Sequence, residues 1–301
     1  MPLVPFSRLM ADAERGDYAV GYFESWNLES LQAVADAAEA SRSPVILGFS
    51  GIYLPHPARL AKDSLADYHA LGAAVCQRLP VPACLLFNES PDFAWVQESI
   101  RLGFGLVMFA DEAMEMPRLV ECTRRTVELA HAAGVAVEGE VDSLPGIGGD
   151  LLAAPAARHL TDPAAAADFQ RATGVDALAV NVGQAHIHGR GEVKLDMERL
   201  SAIRRAAGVP LVLHGASSLA RRDIGEAITR GVRKFNVGSA LKRACFEAIR
   251  AGCGGVGPAY NPYEVMGSGL RGDVMMSARL AVQKVAQDFM ELFRSAGRAG
   301  R

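Results

Sequence analysis

The chain has 301 residues, half of them hydrophobic and 22% charged, with a formal net charge of -3 at pH 7. That supports a large buried core and gives no reason to expect a nucleic-acid or membrane-surface partner. No apolar run approaches the roughly 20 residues of a membrane span; the start lacks the marks of a signal peptide; and five cysteines without metal-type spacing fit a reducing compartment, so a soluble cytoplasmic protein is expected.

Short apolar segments alternate with amphipathic ones from end to end. Strands are predicted at Ala19–Tyr22, Val45–Phe49, Ala83–Phe87, Leu106–Phe109, Val135–Glu140, Ala177–Val182, Leu211–Leu213 and Lys234–Val237. Between them, apolar residues three and four apart predict helices at Leu28–Ala40, Ser64–Arg78, Asp92–Leu102, Met116–Ala132, Ala164–Ala172, Asp196–Ala206 and Arg221–Arg230. Several close on glycine, as at Gly103, Gly134 and Gly231, the usual C-terminal stop. Eight strand–helix alternations over about 240 residues predict a (β/α)8 barrel, read as a single domain over 1–301 with a C-terminal helical extension near Asp273–Arg294. A doubly wound open sheet would want a glycine-rich turn after its first strand, and Glu24-Ser25-Trp26-Asn27 is not one. Two glycine-rich loops stand out. One runs from Asp142 through Asp150 to Pro163 and reads as a candidate lid; the other spans Gly252 to Gly272.

Chemistry is expected at the C-terminal ends of barrel strands. Leu213-His214-Gly215-Ala216-Ser217 is one such end, Asn181-Val182-Gly183 leading to His186 a second, and Asn236-Val237-Gly238-Ser239 a third. Two histidines beside a glycine-serine turn suggest a metal next to a phosphate or carboxylate cradle. Glu138 and Glu140, two apart on one strand, point to the same side of the sheet.

Tyr18-Ala19-Val20-Gly21 with Asn27-Leu28-Glu29, Leu160-Thr161-Asp162-Pro163, the stretch from Thr173 to Ala179, Leu211 to Ser217 and the closing Phe293 to Gly297 together resemble the class II, metal-dependent fructose- and tagatose-bisphosphate aldolase family. The resemblance implies Glu89, His186 and His214 as ligands of one divalent metal. Zn²⁺ is the family's habit, and a glutamate in place of one histidine leans toward Mn²⁺, Co²⁺ or Fe²⁺. His188 is the alternate ligand, and Glu138 with Glu140 would hold a second cation or hydrogen-bond the ligands. An anion cradle is implied at Gly215, Ser217, Asn236, Gly238 and Ser239, with Asn27, Ser50, Gly183 and Arg190 as further substrate or phosphate contacts.

Several family positions are changed. Asn88 replaces the proton-moving aspartate, Gly148 and Gly149 replace the mobile loop's acidic pair, and Ala110, followed by Asp111, replaces another acid. Glu24 replaces a first-strand asparagine, Gly238 replaces a cradle acid, and Tyr263 replaces the arginine that reads the second phosphate. Asn88 can orient a hydroxyl but moves no net proton, which leaves Glu24, Asp111, Asp150 and Glu140 as carboxylates for that task. The function so implied is a class II aldolase-type lyase. It would perform retro-aldol cleavage through a metal-stabilised enediolate on a small-molecule sugar phosphate or sugar acid other than fructose 1,6-bisphosphate, in a homodimer or homotetramer. A metal-dependent isomerase or epimerase and a non-catalytic binding paralogue are the alternatives.

Overall fold

The structure is a computed structural model that describes residues 3–142, 144, 160–184 and 193–299. After helix α1 (Phe6–Gly16), strands and helices alternate as β1 (Val20–Ser25), α2 (Leu28–Ser41), β2 (Val45–Ser50), α3 (Leu65–Arg78), β3 (Ala83–Ser90) and α4 (Phe93–Leu102). The order continues with β4 (Leu106–Phe109), α5 (Met116–Ala132), β5 (Ala136–Glu140), α6 (Pro163–Thr173), β6 (Ala177–Ala179), α7 (Met197–Ala207) and β7 (Leu211–Leu213). Then come α8 (Arg221–Thr229), β8 (Val232–Val237), α9 (Ser239–Gly254), the short α10 (Pro262–Val265) and α11 (Val274–Leu292). All eight strands pair in parallel in sequence order, and β8 closes on β1 with Tyr22 opposite Asn236. This is the expected (β/α)8 barrel.

The strand alternation decides what lies where. Val20, Tyr22, Ile46, Cys84, Leu86, Leu106, Ala177, Ala179 and Val212 fill the barrel interior, while Phe23, Leu47, Leu85, Phe87, Val107 and Phe235 pack outward under the helices. Helix α1 joins the inner cluster through Phe6, Leu9, Met10 and Ala13. This helix is not among the predicted ones, although those residues fall at the helical spacing i, i+3, i+4, i+7. Neither is α9, and α10 interrupts the predicted loop 252–272. Three strands run longer at their C-terminal ends than expected, β1 to Ser25, β2 to Ser50 and β3 to Ser90, and β6 is shorter, ending at Ala179. The longer ends matter because they carry Glu24, Ser50, Asn88 and Glu89.

Among the described residues, no helix is long and apolar enough to cross a membrane.

Candidate metal centre and binding cavity

Above the apolar layers the same inward register turns polar. Continuing β1, β3, β5, β7 and β8 by two residues past Tyr22, Leu86, Glu138, Val212 and Lys234 brings in Glu24, Asn88, Glu140, His214 and Asn236. Glu89, next to inward-facing Asn88, would by alternation face the helices. Instead the β3–β4 register shifts between Phe87 and Ser90, and Glu89 takes a left-handed backbone with φ 54°. Holding a glutamate there costs about 1–3 kcal/mol unless the surroundings enforce it. The result is that Glu89 lines the cavity at the barrel mouth.

Glu89, Glu140 and His214 each place one ligand atom within 4.8 Å of the others. Glu89 Oε1 lies 3.0 Å and Glu140 Oε1 3.4 Å from His214 Nδ1. Neither contact is aligned as a hydrogen bond, so the buried Nδ1 has no hydrogen-bond partner among the described residues. The other ring nitrogen is fixed: Nε2 lies 2.9 Å from Glu138 Oε1. An ionised Glu138 only accepts, so Nε2 carries the proton of that bond and Nδ1 is the atom turned toward the carboxylates. A histidine steered through one nitrogen by a carboxylate, with the other facing further oxygen donors, is the support a metal ligand needs. One nitrogen and two oxygens suit Zn²⁺, Mn²⁺, Co²⁺ or Fe²⁺. The residues present fit a divalent cation.

The electrostatics agree. Burial by itself would lower the His214 pKa, but Glu89, Glu138 and Glu140 outweigh it and push it up to about 10. Burial raises Glu140, His214 opposes it, and repulsion from Glu89, Glu138 and Glu112 leaves the carboxyl at about 8. Burial would raise Glu138 too, yet the Lys234 ammonium and His214 hold it below the usual carboxylate range. The crowded carboxylates favour positive charge among them, which His214 and Lys234 supply in part and a bound cation would extend.

Lys234 was missed by sequence reasoning. It is fully buried, lies 2.7 Å from Glu138 Oε2 and donates to Asn236 Oδ1. Asn236 Nδ2 in turn donates to Asn88 Oδ1 at 3.4 Å, and Asn88 Nδ2 to Glu89 Oε2. One buried ammonium thus sets both the Glu138–His214 arm and the two amides. The available signal was its inward register between Val232 and Asn236 on a buried strand.

The cavity, about 280 Å³, is lined by Glu24, Ser50, Asn88, Glu89, His214, Gly215, Asn236, Gly238 and Ser239 from the expected set, together with Tyr22, Tyr53, Lys242 and Arg243. The start of α9 lines it through Ser239, Lys242 and Arg243, and the positive end of the helix with these two cations favours an anion. Ser217 supports that wall, accepting from the Ala240 N–H at 3.3 Å. Gly215 has φ 68°, a conformation that suits glycine. At Gly238 a Cβ would press into Glu24 Oε2, so a larger residue there must displace the Glu24 carboxylate. Glu24 pairs with Lys242 Nζ at 2.6 Å, and its pKa is raised, by burial against the pull of Lys242.

Two expected contacts, Asn27 and Gly183, and the candidate carboxylate Asp111 are not among the cavity's lining residues. Asn27 caps α2, accepting from the Ser30 N–H at 2.9 Å. Asp111 accepts from the Ala113 N–H in the turn after β4 and is not among the cavity's lining residues. Gly183 follows β6, where its N–H donates to Asn181 Oδ1 at 3.0 Å. His186, His188, Arg190, Gly148, Gly149 and Asp150 lie outside the described residues.

The family model described as fructose-bisphosphate aldolase class-II matches residues 4–298. A fructose-bisphosphate aldolase of Thermus caldophilus is 31% identical over 99% of this chain and 100% of its own length. The protein YdjI of Escherichia coli K12 is 32% identical over 79% of this chain and 84% of its own length. The crystal structure titled as the YdjI aldolase superposes with a TM-score of 0.80 at 28% identity, covering 99% of both chains.

Proposed function

The chain belongs to the class II fructose-bisphosphate aldolase family, and from that premise we propose that it is a cytoplasmic, divalent-metal-dependent carbon–carbon lyase of the aldolase type. Its substrate is a phosphorylated or acidic sugar derivative other than fructose 1,6-bisphosphate. Glu89 and His214 would hold the cation with Glu140, and His186 is the further imidazole that the resemblance adds. A divalent cation bound there supplies Lewis-acid polarisation of a substrate carbonyl.

The chain's own residues do the rest. Asn88 and Asn236 present amides that orient substrate oxygens, fixed through Lys234. Gly215, Ser239 and the opening turn of α9 receive an anionic group, with Arg243 on the same wall. Glu24 is the cavity-lining carboxylate outside the metal group. Burial raises its pKa against the pull of Lys242, so it holds a proton more readily than an ordinary glutamate. Exposed Phe246, Tyr260, Tyr263, Met266 and Leu270 on α9 and the segment after it support a homo-oligomer.

The observation that carries this reading is the convergence of Glu89, Glu140 and His214, with Nδ1 unbonded, at the C-terminal mouth of the barrel. Purified protein loaded with each divalent metal in turn is screened against sugar phosphates and sugar acids, with products analysed by mass. Products of lower carbon number, seen only with metal, are expected. Rearrangement at constant carbon number would replace the lyase by an isomerase. No turnover with any metal would leave a binding protein.

A further inference from the structure

Among the described residues, the acids lining the main cavity are Glu89, which belongs to the metal group, and Glu24, which does not. Glu24 reaches from the end of β1 to the start of α9. Its Oε1 lies 2.6 Å from Lys242 Nζ, and its Oε2 lies against Gly238, in the space a side chain there would fill. Gly238 is the N-cap residue of α9, and Lys242 belongs to the first turn. The N-terminus of a helix carries about half a positive charge and favours anions. The chain thus sets a carboxylate of its own on the wall where an anionic group of the substrate is received.

A solvated surface pair would carry no such meaning, but this pair is not one. The Glu24 side chain is only 16% exposed, and Glu89 repels it. A charge held there costs desolvation and repulsion that a glutamine of the same shape would not incur. Lys242 is held from three sides, by Glu24 and by the rings of Tyr53 and Trp26, whose centres lie 5.1 and 5.8 Å from Nζ. Its charge is therefore largely matched within the wall itself. The attraction offered by the positive end of α9 and by Arg243 is then set against the Glu24 carboxylate. Repulsion grows with the product of the charges, so Glu24 opposes a phosphate dianion about twice as strongly as a carboxylate.

We propose that Glu24 sets specificity by charge: it admits a singly charged carboxylate at the start of α9 and turns away a phosphate dianion. This narrows the lyase reading, on which it rests for the substrate, to a sugar acid whose carboxylate sits on this wall. The seating of Glu24 against Gly238 and Lys242 does not depend on that reading.

Calorimetric titration of the metal-loaded full chain with sulfate and with methanesulfonate isolates charge, because both are tetrahedral anions of similar shape, one doubly and one singly charged. The wild type should bind sulfate no more tightly than methanesulfonate. Glu24→Gln should tighten sulfate by about ten- to a hundredfold and methanesulfonate by only about three- to tenfold. Adding Lys242→Met to Glu24→Gln should remove most of the sulfate gain, which places that gain on α9 and not at the metal. A wild type that prefers sulfate, equal gains for the two anions, no gain, or a gain that survives Lys242→Met overturns the proposal. Turnover supplies a second readout, comparing two donors within one protein. With glyceraldehyde as acceptor, kcat/KM for dihydroxyacetone phosphate relative to dihydroxyacetone should rise about tenfold or more in Glu24→Gln. Loss of a proton-moving role alone would lower both donors alike, and an unchanged ratio overturns the proposal. If the wild type condenses neither donor, the lyase reading fails instead, and the titrations alone decide the role of Glu24.

Discussion

Gly238→Ala tests whether Glu24 is seated by design of the cavity. A Cβ at 238 would meet Glu24 Oε2 far inside van der Waals contact, with Glu24 Cδ at 3.6 Å and Cβ at 3.7 Å, both ordinary separations. Only the carboxylate tip has to give way, by roughly 1 Å to reach normal contact. That shift removes Oε1 from its 2.6 Å contact with Lys242 Nζ. Small-to-large changes of this kind cost about 1–3 kcal/mol in a rigid setting. Because the clashing atom ends a flexible side chain, the lower end, about 1 kcal/mol, is expected. Urea unfolding of wild type, Gly238→Ala, Glu24→Ala and the double variant gives the coupling directly. Removing the carboxylate should relieve the clash, so the double variant should be less destabilised than the sum by at least about 0.5 kcal/mol. Strict additivity would show that Gly238 and Glu24 do not share this space and would refute the reasoning.

Lys234→Met leaves Glu138 fully buried without its ammonium; loss of one partner from a buried pair costs about 3–5 kcal/mol, measured by the same denaturation. The metal-free protein should lose stability with rising pH. The folded pKa values of Glu140, about 8, and of His214, about 10, both lie above their ordinary ones, so these two groups bind more protons in the folded state from about pH 4.5 to 10, and the lowered pKa of Lys234 opposes them only at the alkaline end. Melting temperatures of chelated protein across that range check this, and a flat or rising profile would contradict it. Fructose 1,6-bisphosphate should be cleaved slowly or not at all, because Tyr263, where the family has its second-phosphate arginine, is 84% exposed and outside the cavity lining, and Asn88 moves no proton. Turnover at ordinary enzyme rates, followed as triose phosphate release, would contradict that expectation.

Periodicity made the barrel legible, because a two-residue repeat inside a strand–helix alternation leaves few other folds. It also placed Glu138 and Glu140 on one side of their strand, and His214 and Asn236 at strand ends. Glu89 could be proposed only as a position, since the bulge and left-handed backbone that turn it inward are set by pairing with β4 and not by local composition. Asn27 was implied as a contact by the resemblance, yet a residue opening a helix is as readily consumed by capping, and that is where its side chain goes. Lys242 reads in sequence as a solvated first-turn lysine; its pairing with Glu24, 218 residues away, appears only when β8 closes on β1.

The central claim is that Glu89, Glu140 and His214 hold a divalent metal. Elemental analysis of protein purified without chelator, wild type beside His214→Ala, tests it most directly. The wild type should carry about one equivalent of a transition metal per chain and His214→Ala almost none, with circular dichroism showing both folded. Equal metal content in the two proteins would contradict the assignment.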